Sequence, residues 1–327
     1  MKKILIIRFS SFGDIVQCMS VTDSIRRTFP ACQIHWVARA DMGSILTLSP
    51  NIDRVWHFDR QEGMMGLFRL GITLRQEGFD AIYDAHSNIR SRLLSLFFIG
   101  IPLVRRSKER LKRLFLFGRL HLNFFPKPYR GMYSYQAPLT KLGISFPANF
   151  PLPQCWNFSQ TKYELPYGPK KFIALIPSAA WPMKRWPIPH WQKIIELLPA
   201  ENFVILGGPA DLFCQELALI APHRVTNLAG KTSLAQSAWI VSQSRVLISA
   251  DTGFLHVADL LGHAAIALIG PTAFGHTSSN KVKILEVSLD CRPCTKDGRG
   301  RCSQKIYQRC MVEILPSTVA SLVGSMD

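Results

Sequence analysis

Three groups of residues in this chain have types and spacing suited to chemistry on an anionic substrate. The first centres on a lone acid, Asp14, which follows Ser10-Ser11-Phe12-Gly13 directly after the apolar run Ile4 to Ile7. A carboxylate fixed in such a turn can take a proton from a hydroxyl as a general base. The same position also suits a helix cap or a first-turn acid favoured by the helix dipole. A dinucleotide-binding turn would need G-x-G-x-x-G, and Gly13 is the one glycine present.

The second group is a series of loops with the donors and cations a nucleotide diphosphate requires. Pro177-Ser-Ala-Ala-Trp-Pro-Met-Lys-Arg-Trp186 offers Ser178, Lys184 and Arg185. Lys184 can act as a point charge on a departing diphosphate. Gly207 and Gly208 allow a base or ribose close to the backbone. Asp251, Thr252, Gly253 and His256 form D-T-G-x-x-H, and backbone N–H groups at a helix start bind anions. Gly270-Pro271-Thr272 has the same strand-end character. Taken singly, Asp251 reads equally as a helix cap and His256 as a core hydrogen-bonder.

The third group is C-x2-C-x7-C-x7-C, from Cys291, Cys294, Cys302 and Cys310. Four thiols at this density fit a structural zinc site, reduced thiols or a labile disulfide.

Positioning these residues requires strands that end at the loops. Runs over Lys3–Ile7, Gln33–Val37, Arg54–Phe58, Asp80–Asp84 and Ile101–Val104 read as strands, with helical stretches at Val16–Thr28 and Met64–Gln76. A proline-rich stretch at 147–169 reads as a linker. A second series follows: Phe172–Ile176, Phe203–Leu206, Val225–Leu228, Val246–Ser249 and Ala265–Ile269. This alternation predicts an α/β chain of two doubly wound parallel sheets, with ligands beyond the carboxyl ends of the strands. The expected domains are residues 1–155 and 165–315, with a C-terminal helix at about 316–327 packing back on the first.

At 327 residues and 47% hydrophobic content, the chain supports two cores. No apolar run is long enough to span a bilayer, and the N-terminus enters a strand at once. A cytoplasmic protein with reduced cysteines is expected. The net charge of +17 concentrates in the first half. Residues 90–130 hold 11 Lys/Arg and one acid, Glu109. Arg105, Arg106, Lys108, Arg110, Lys112, Arg113 and Arg119 alternate there with Leu111, Leu114, Phe115, Leu116 and Phe117. Such a block suits an anionic membrane or phosphorylated glycolipid, nucleic acid, or a solvated helix face. No stacking aromatics at the spacing of RNA-binding sheets accompany it, which disfavours nucleic acid. A nicotinamide dehydrogenase is disfavoured by the missing glycine fingerprint.

The segments IIRFSSFGDIV, IPSAAWPMKRWP, ISADTGFLHVA and ALIGPT, in that order, resemble glycosyltransferase family 9, the ADP-heptose:lipopolysaccharide heptosyltransferases. The resemblance runs from about residue 3 to residue 315. It implies a GT-B fold, two Rossmann-like domains facing a central cleft, and inverting transfer without a covalent intermediate. It implies that Asp14 is the general base and that an ADP-sugar lies against Ser178, Lys184, Gly207, Gly208, Asp251, Thr252, Gly253 and His256. The acceptor, an anionic lipopolysaccharide core precursor, is then expected on Arg8, Ser11, Gly13, Asn88, Arg90, Arg105 and Arg106. The resemblance implies no required cofactor, no nucleic-acid partner, and peripheral association with the cytoplasmic face of the inner membrane. The chain departs from the family pattern in three places. It lacks a proline near Met19–Ser20, leaves only Asp211 as a ribose acid after the glycine turn, and carries Ala273-Phe274 where many members have an acid.

Overall fold

The computed structural model describes residues 1–118, 121–146 and 152–326, which form two compact α/β units. One unit comprises Met1–Arg110 with Gly131–Gln160, the other Leu111–Arg130 with Thr161–Asp327. Arg119 and linker residues 147–151 lie outside the described residues.

The first unit is built on five parallel strands: β1 (Lys3–Ile7), β2 (Gln33–Arg39), β3 (Arg54–Phe58), β4 (Ala81–Asp84) and β5 (Leu103–Arg105). Their order is β3-β2-β1-β4-β5. Ile4 to Ile7 are fully buried because β1 is central and covered on both faces. The chain runs outward from β1 to β3, then returns to β4 on the other side of β1. That reversal opens a crevice beyond the carboxyl ends of β1 and β4, the usual ligand position in such a sheet.

The second sheet contains β6 (Ile173–Ile176), β7 (Phe203–Ile205), β8 (Val225–Asn227), β9 (Val246–Ala250), β10 (Ala265–Leu268) and β11 (Val282–Leu285). The parallel order β11-β10-β9-β6-β7-β8 is that of a dinucleotide-binding fold, with its reversal between β6 and β9. The sequence reading ended at β10 and missed β11. This edge strand, VKIL, is short and has an exposed lysine, so it lacks the continuous apolar run of the central strands.

Two segments group differently from their expected domains. The C-terminal helix Pro316–Gly324 places Val319 and Val323 in the second unit's own core, with Trp186, Trp191 and Ile194. It was expected on the first domain. Residues 111–130 also belong to the second unit. There Phe274 sits among Phe117, Phe125 and Tyr129 at ring distances of 6.1, 5.2 and 4.8 Å. The residue that replaces the family acid is thus an aromatic anchor for this excursion.

Asp259, on the helix Gly253–Leu261, is 2% exposed and accepts hydrogen bonds from the backbone N–H groups of Ser278 and Ser279 at 2.8 and 2.6 Å. Burial outweighs those bonds and raises its pKa to about 6. The native state therefore keeps a proton that the unfolded chain loses near pH 4. Stability contributed by this group falls as pH rises from about 4 to 6, by up to about 3 kcal/mol. Asp259→Asn keeps the accepting oxygen and removes the penalty. Urea denaturation should show the variant gaining on the parent at pH 7 and matching it more closely at pH 4.5. An equal difference at both pH values would contradict the buried-acid account.

Candidate active site

In the first unit the reactive groups gather where β1 and β4 end. Arg8, the first residue beyond β1, is 5% exposed, and its Nη1 donates to the Ala85 carbonyl at 2.8 Å. Its Nη2 lies 2.6 Å from Asp14 Oδ2. Ser11 Oγ donates to the same oxygen at 2.7 Å, and the Tyr135 hydroxyl donates to Oδ1 at 2.7 Å. Ser11 occupies the N-cap position of the helix Phe12–Thr28. The Asp14 oxygens are engaged by these side chains, which sets aside the simple cap reading. Arg106 completes the cluster: its guanidinium lies 3.8 Å over the Tyr135 ring, and its Nη1 donates to the Tyr135 hydroxyl at 3.0 Å.

Burial alone would raise the Asp14 carboxyl. The Arg8 guanidinium, then Arg106, then the Ser11 and Tyr135 hydroxyls outweigh it and hold the group well below the ordinary carboxylate range. Asp14 is an ionised, oriented carboxylate with 38% of its side chain still open. His86 lies nearby, with its ring 5.2 Å from Phe9. Burial, reinforced by Arg8 and Lys108, lowers its pKa to about 3, so it is neutral at working pH.

Asp84, at the end of β4, is fully buried and organises the adjoining loop. It accepts from the backbone of His86 and Ser87 at 3.1 and 2.8 Å and from Ser91 Oγ at 3.1 Å. Ser87 sits at φ +51, a left-handed conformation that those bonds hold in place. Asn88 caps the helix Ile89–Ser95 through its Oδ1, 2.9 Å from the Ser91 N–H. Arg90 is exposed on that helix's first turn, and Gly13 lies in the first turn of the helix after β1. Arg105 Nε is 3.3 Å from Asp84 Oδ2.

These contacts divide the basic block. Arg106, expected to meet the anionic acceptor as part of the exposed basic block, is 9% exposed and belongs to the Asp14 cluster. Arg113 lies 5.0 Å over the Phe274 ring in the second unit. Tyr135, Asp84 and Ser134, whose Oγ accepts from Arg106 Nη2 at 2.8 Å, were missed by sequence reasoning. A tyrosine that reaches an acid 121 residues away carries no local signal.

In the second unit the loops after β6, β9 and β10 meet. Lys184 Nζ lies 3.0 Å from Asp251 Oδ2, and Thr272 Oγ1 donates to that oxygen at 2.7 Å. His256 Nε2 is 3.9 Å from Asp251 Oδ1. Burial would raise the Asp251 carboxyl, but Lys184, then His256, then the Thr272 hydroxyl bring it below the ordinary range. Thr252 is the N-cap of the helix Gly253–Leu261, and its hydroxyl is 2.8 Å from that of Ser249. Ser178 is half-buried in the loop after β6. Gly207 and Gly208 form the turn after β7, where Asp211 Oδ2 accepts from the Gly208 N–H at 2.7 Å. Asp211 thus braces the turn.

The cysteine-bearing loop has a role that its thiols did not suggest. Gly298 adopts φ +92, and a Cβ there would come 2.6 Å from Lys184 Cγ. Arg299 stacks 4.9 Å from the Trp181 ring. The loop therefore packs on the stem of Lys184 and restrains it. Cys294 is exposed, Cys291 and Cys302 are half-buried, and Cys310 is buried, with burial pushing its thiol to about 11. Among the described residues, no group of three or more His, Cys, Asp or Glu is arranged to hold a metal ion.

Residues 67–308 match the family model for glycosyltransferase family 9 (heptosyltransferase). The chain belongs to this family. A lipooligosaccharide heptosyltransferase 2 of Haemophilus ducreyi is 26% identical, with 99% of each chain aligned. The Escherichia coli ADP-heptose lipopolysaccharide heptosyltransferase II structure covers 100% of this chain and 98% of its own, with a TM-score of 0.75 at 22% identity. The Escherichia coli heptosyltransferase WaaC with ADP covers 99% and 100%, with a TM-score of 0.70 at 18% identity. The two Rossmann-like units of this family 9 glycosyltransferase are those of the GT-B fold. Family membership displaces the nucleic-acid and dehydrogenase readings.

Proposed function

We propose that this enzyme transfers a heptose from ADP-L-glycero-D-manno-heptose to the lipopolysaccharide inner core, on a lipid A–Kdo or heptosyl-Kdo acceptor. The names of the similar proteins support the donor and acceptor classes. The observation that carries the mechanism is Asp14, ionised, held by Arg8, Ser11 and Tyr135, and open on one side.

An acceptor hydroxyl attacks the anomeric carbon as the bond from that carbon to the diphosphate breaks. Configuration inverts, the hydroxyl proton passes to Asp14, and ADP leaves. A carboxylate of such low basicity accepts the proton late, once the attacking oxygen carries substantial positive charge. Lys184 neutralises charge on the departing diphosphate, with the Thr252–Gly253 helix start beside it. Asp251 and Thr272 hold Lys184 in position. Ser178, Gly207, Gly208 and His256 complete the donor site. Arg8, Ser11, Gly13, Asn88, Arg90, Arg105 and Arg106 form the acceptor side, where their cations suit Kdo carboxylates. No helix among the described residues is long and apolar enough to cross a membrane. We place the enzyme at the cytoplasmic membrane face, where a lipid-anchored acceptor would be held.

Incubation with ADP-heptose and heptose-free lipopolysaccharide is expected to add the mass of one heptose and release ADP stoichiometrically. Because Asp211 braces its own turn and Phe274 replaces an acid, a donor panel should include other ADP- and UDP-sugars. Transfer from another donor with none from ADP-heptose would assign this chain a different sugar within family 9.

A further inference from the structure

The helices Gly63–Gln76 and Ile89–Ser95 of the first unit, with the turn Leu96–Phe98, border an apolar groove of about 640 Å³. Met64, Met65, Phe68, Leu93, Leu96 and Phe97 line it. Met65, Phe68 and Leu96 are 62%, 53% and 59% exposed. Ile89 and Ile99 extend the apolar surface at 76% and 77%. The floor is tightly built: Phe68 and Phe97 meet edge to face at 5.2 Å, and a Cβ at Gly71 would lie 2.5 Å from the Phe97 ring. Contiguous exposed apolar surface of this kind marks an interaction site.

The charge around the groove is mainly positive, with the acids Glu62 and Glu77 at the two ends of the helix Gly63–Gln76. Arg69, Arg75, Arg90 and Arg92 are exposed on the same two helices, whose sequences contain no acid. Ordinary surfaces intersperse both signs. Anionic headgroups complement the arginines, and acyl chains complement the groove. A second copy docked by two-fold symmetry would instead bring these arginines toward one another.

We propose that this groove is a membrane-docking surface, seated on an anionic lipid bilayer. It rests on the reading of the acceptor as a membrane-held glycolipid, and it lies outside the Asp14 cluster. It takes the role first given to residues 105–119, where Arg106 is buried and Phe117 packs on Phe274.

The test is flotation of the full chain with phosphatidylcholine vesicles, with and without phosphatidylglycerol. The parent protein should float with the anionic vesicles, and less so at high salt. Phe68→Asp with Leu96→Asp should lower partitioning about tenfold or more. Arg69→Gln with Arg92→Gln should lower it about 30-fold at low salt. These side chains are exposed, so thermal unfolding and ADP binding should match the parent. Normal flotation of both variants would overturn the proposal. So would loss of flotation only through Leu111→Asp with Leu114→Asp, because the docking surface would then be the helix Arg110–Phe117. Failure of the parent to float, with a dimer in sedimentation that the groove variants dissociate, would assign the groove to a second copy. Transfer to a deacylated, soluble acceptor separates the two readings. Transfer without flotation sinks only the docking surface, whereas flotation without transfer sinks only the heptosyl reading.

Discussion

Asp14→Asn is expected to lower kcat by about 100-fold or more, toward 10⁴-fold, while ADP affinity stays near that of the parent. The substitution removes the group that receives the acceptor's proton. It leaves an amide of similar shape between Ser11 and Tyr135. Arg8, which is buried, loses its ionic partner but keeps its bond to the Ala85 carbonyl. Because more than a third of the Asp14 side chain is open to solvent, the stability loss should be modest, about 1–2 kcal/mol. The pH dependence follows from the depressed carboxyl. Its stabilisation is fully present above the ordinary carboxylate pKa near 4 and is lost as pH falls below it. The stability gap between parent and variant should therefore close in acid. The parent's kcat/KM should show no limb between pH 5 and 8 from either Asp14 or the neutral His86. Near-normal turnover in Asp14→Asn would reduce Asp14 to a structural anchor for Arg8.

Lys184→Ala is expected to weaken ADP binding about 100-fold or more and to lower kcat as well. Two effects combine. A charge-assisted contact to the diphosphate is lost, and a contact of that kind contributes roughly 1.5–3 kcal/mol. The nearly buried Asp251 is also left without its ammonium partner, facing the position proposed for an anionic ligand. Adding Asp251→Asn should therefore recover about tenfold of the lost affinity, since a neutral amide no longer repels phosphate. Calorimetry on the single and double variants decides the matter. Equal ADP affinity in the two would mean that Asp251 does not act on the ligand through Lys184. An unchanged Kd in Lys184→Ala would move the diphosphate elsewhere, with Arg185 the nearest cation in the loop.

Much of this protein was legible from its residues in order. The central strands β1, β4, β6, β7, β9 and β10 follow from apolar runs, because a strand buried on both faces needs nothing else to declare itself. The loops ending at Asp14, Lys184, Gly208 and Asp251 were marked by glycine, proline and small polar residues, whose conformational preferences act within a few positions. From those two signals came a doubly wound chain with its chemistry at strand ends, and the order of motifs pointed to the family. The tertiary structure decided how distant side chains meet. Tyr135 and Arg106 reach Asp14, Thr272 reaches Asp251, and Gly298 presses on Lys184, each across a gap with no periodic signature. Charge density along the chain suggested one basic surface at 105–119. Packing put Arg106 inside the Asp14 cluster, set Arg113 on Phe274, and left the exposed apolar face at Met65, Phe68 and Leu96. Local pattern specifies which residues turn or pair along the backbone, whereas the burial of a long side chain depends on which surfaces the folded units bring together.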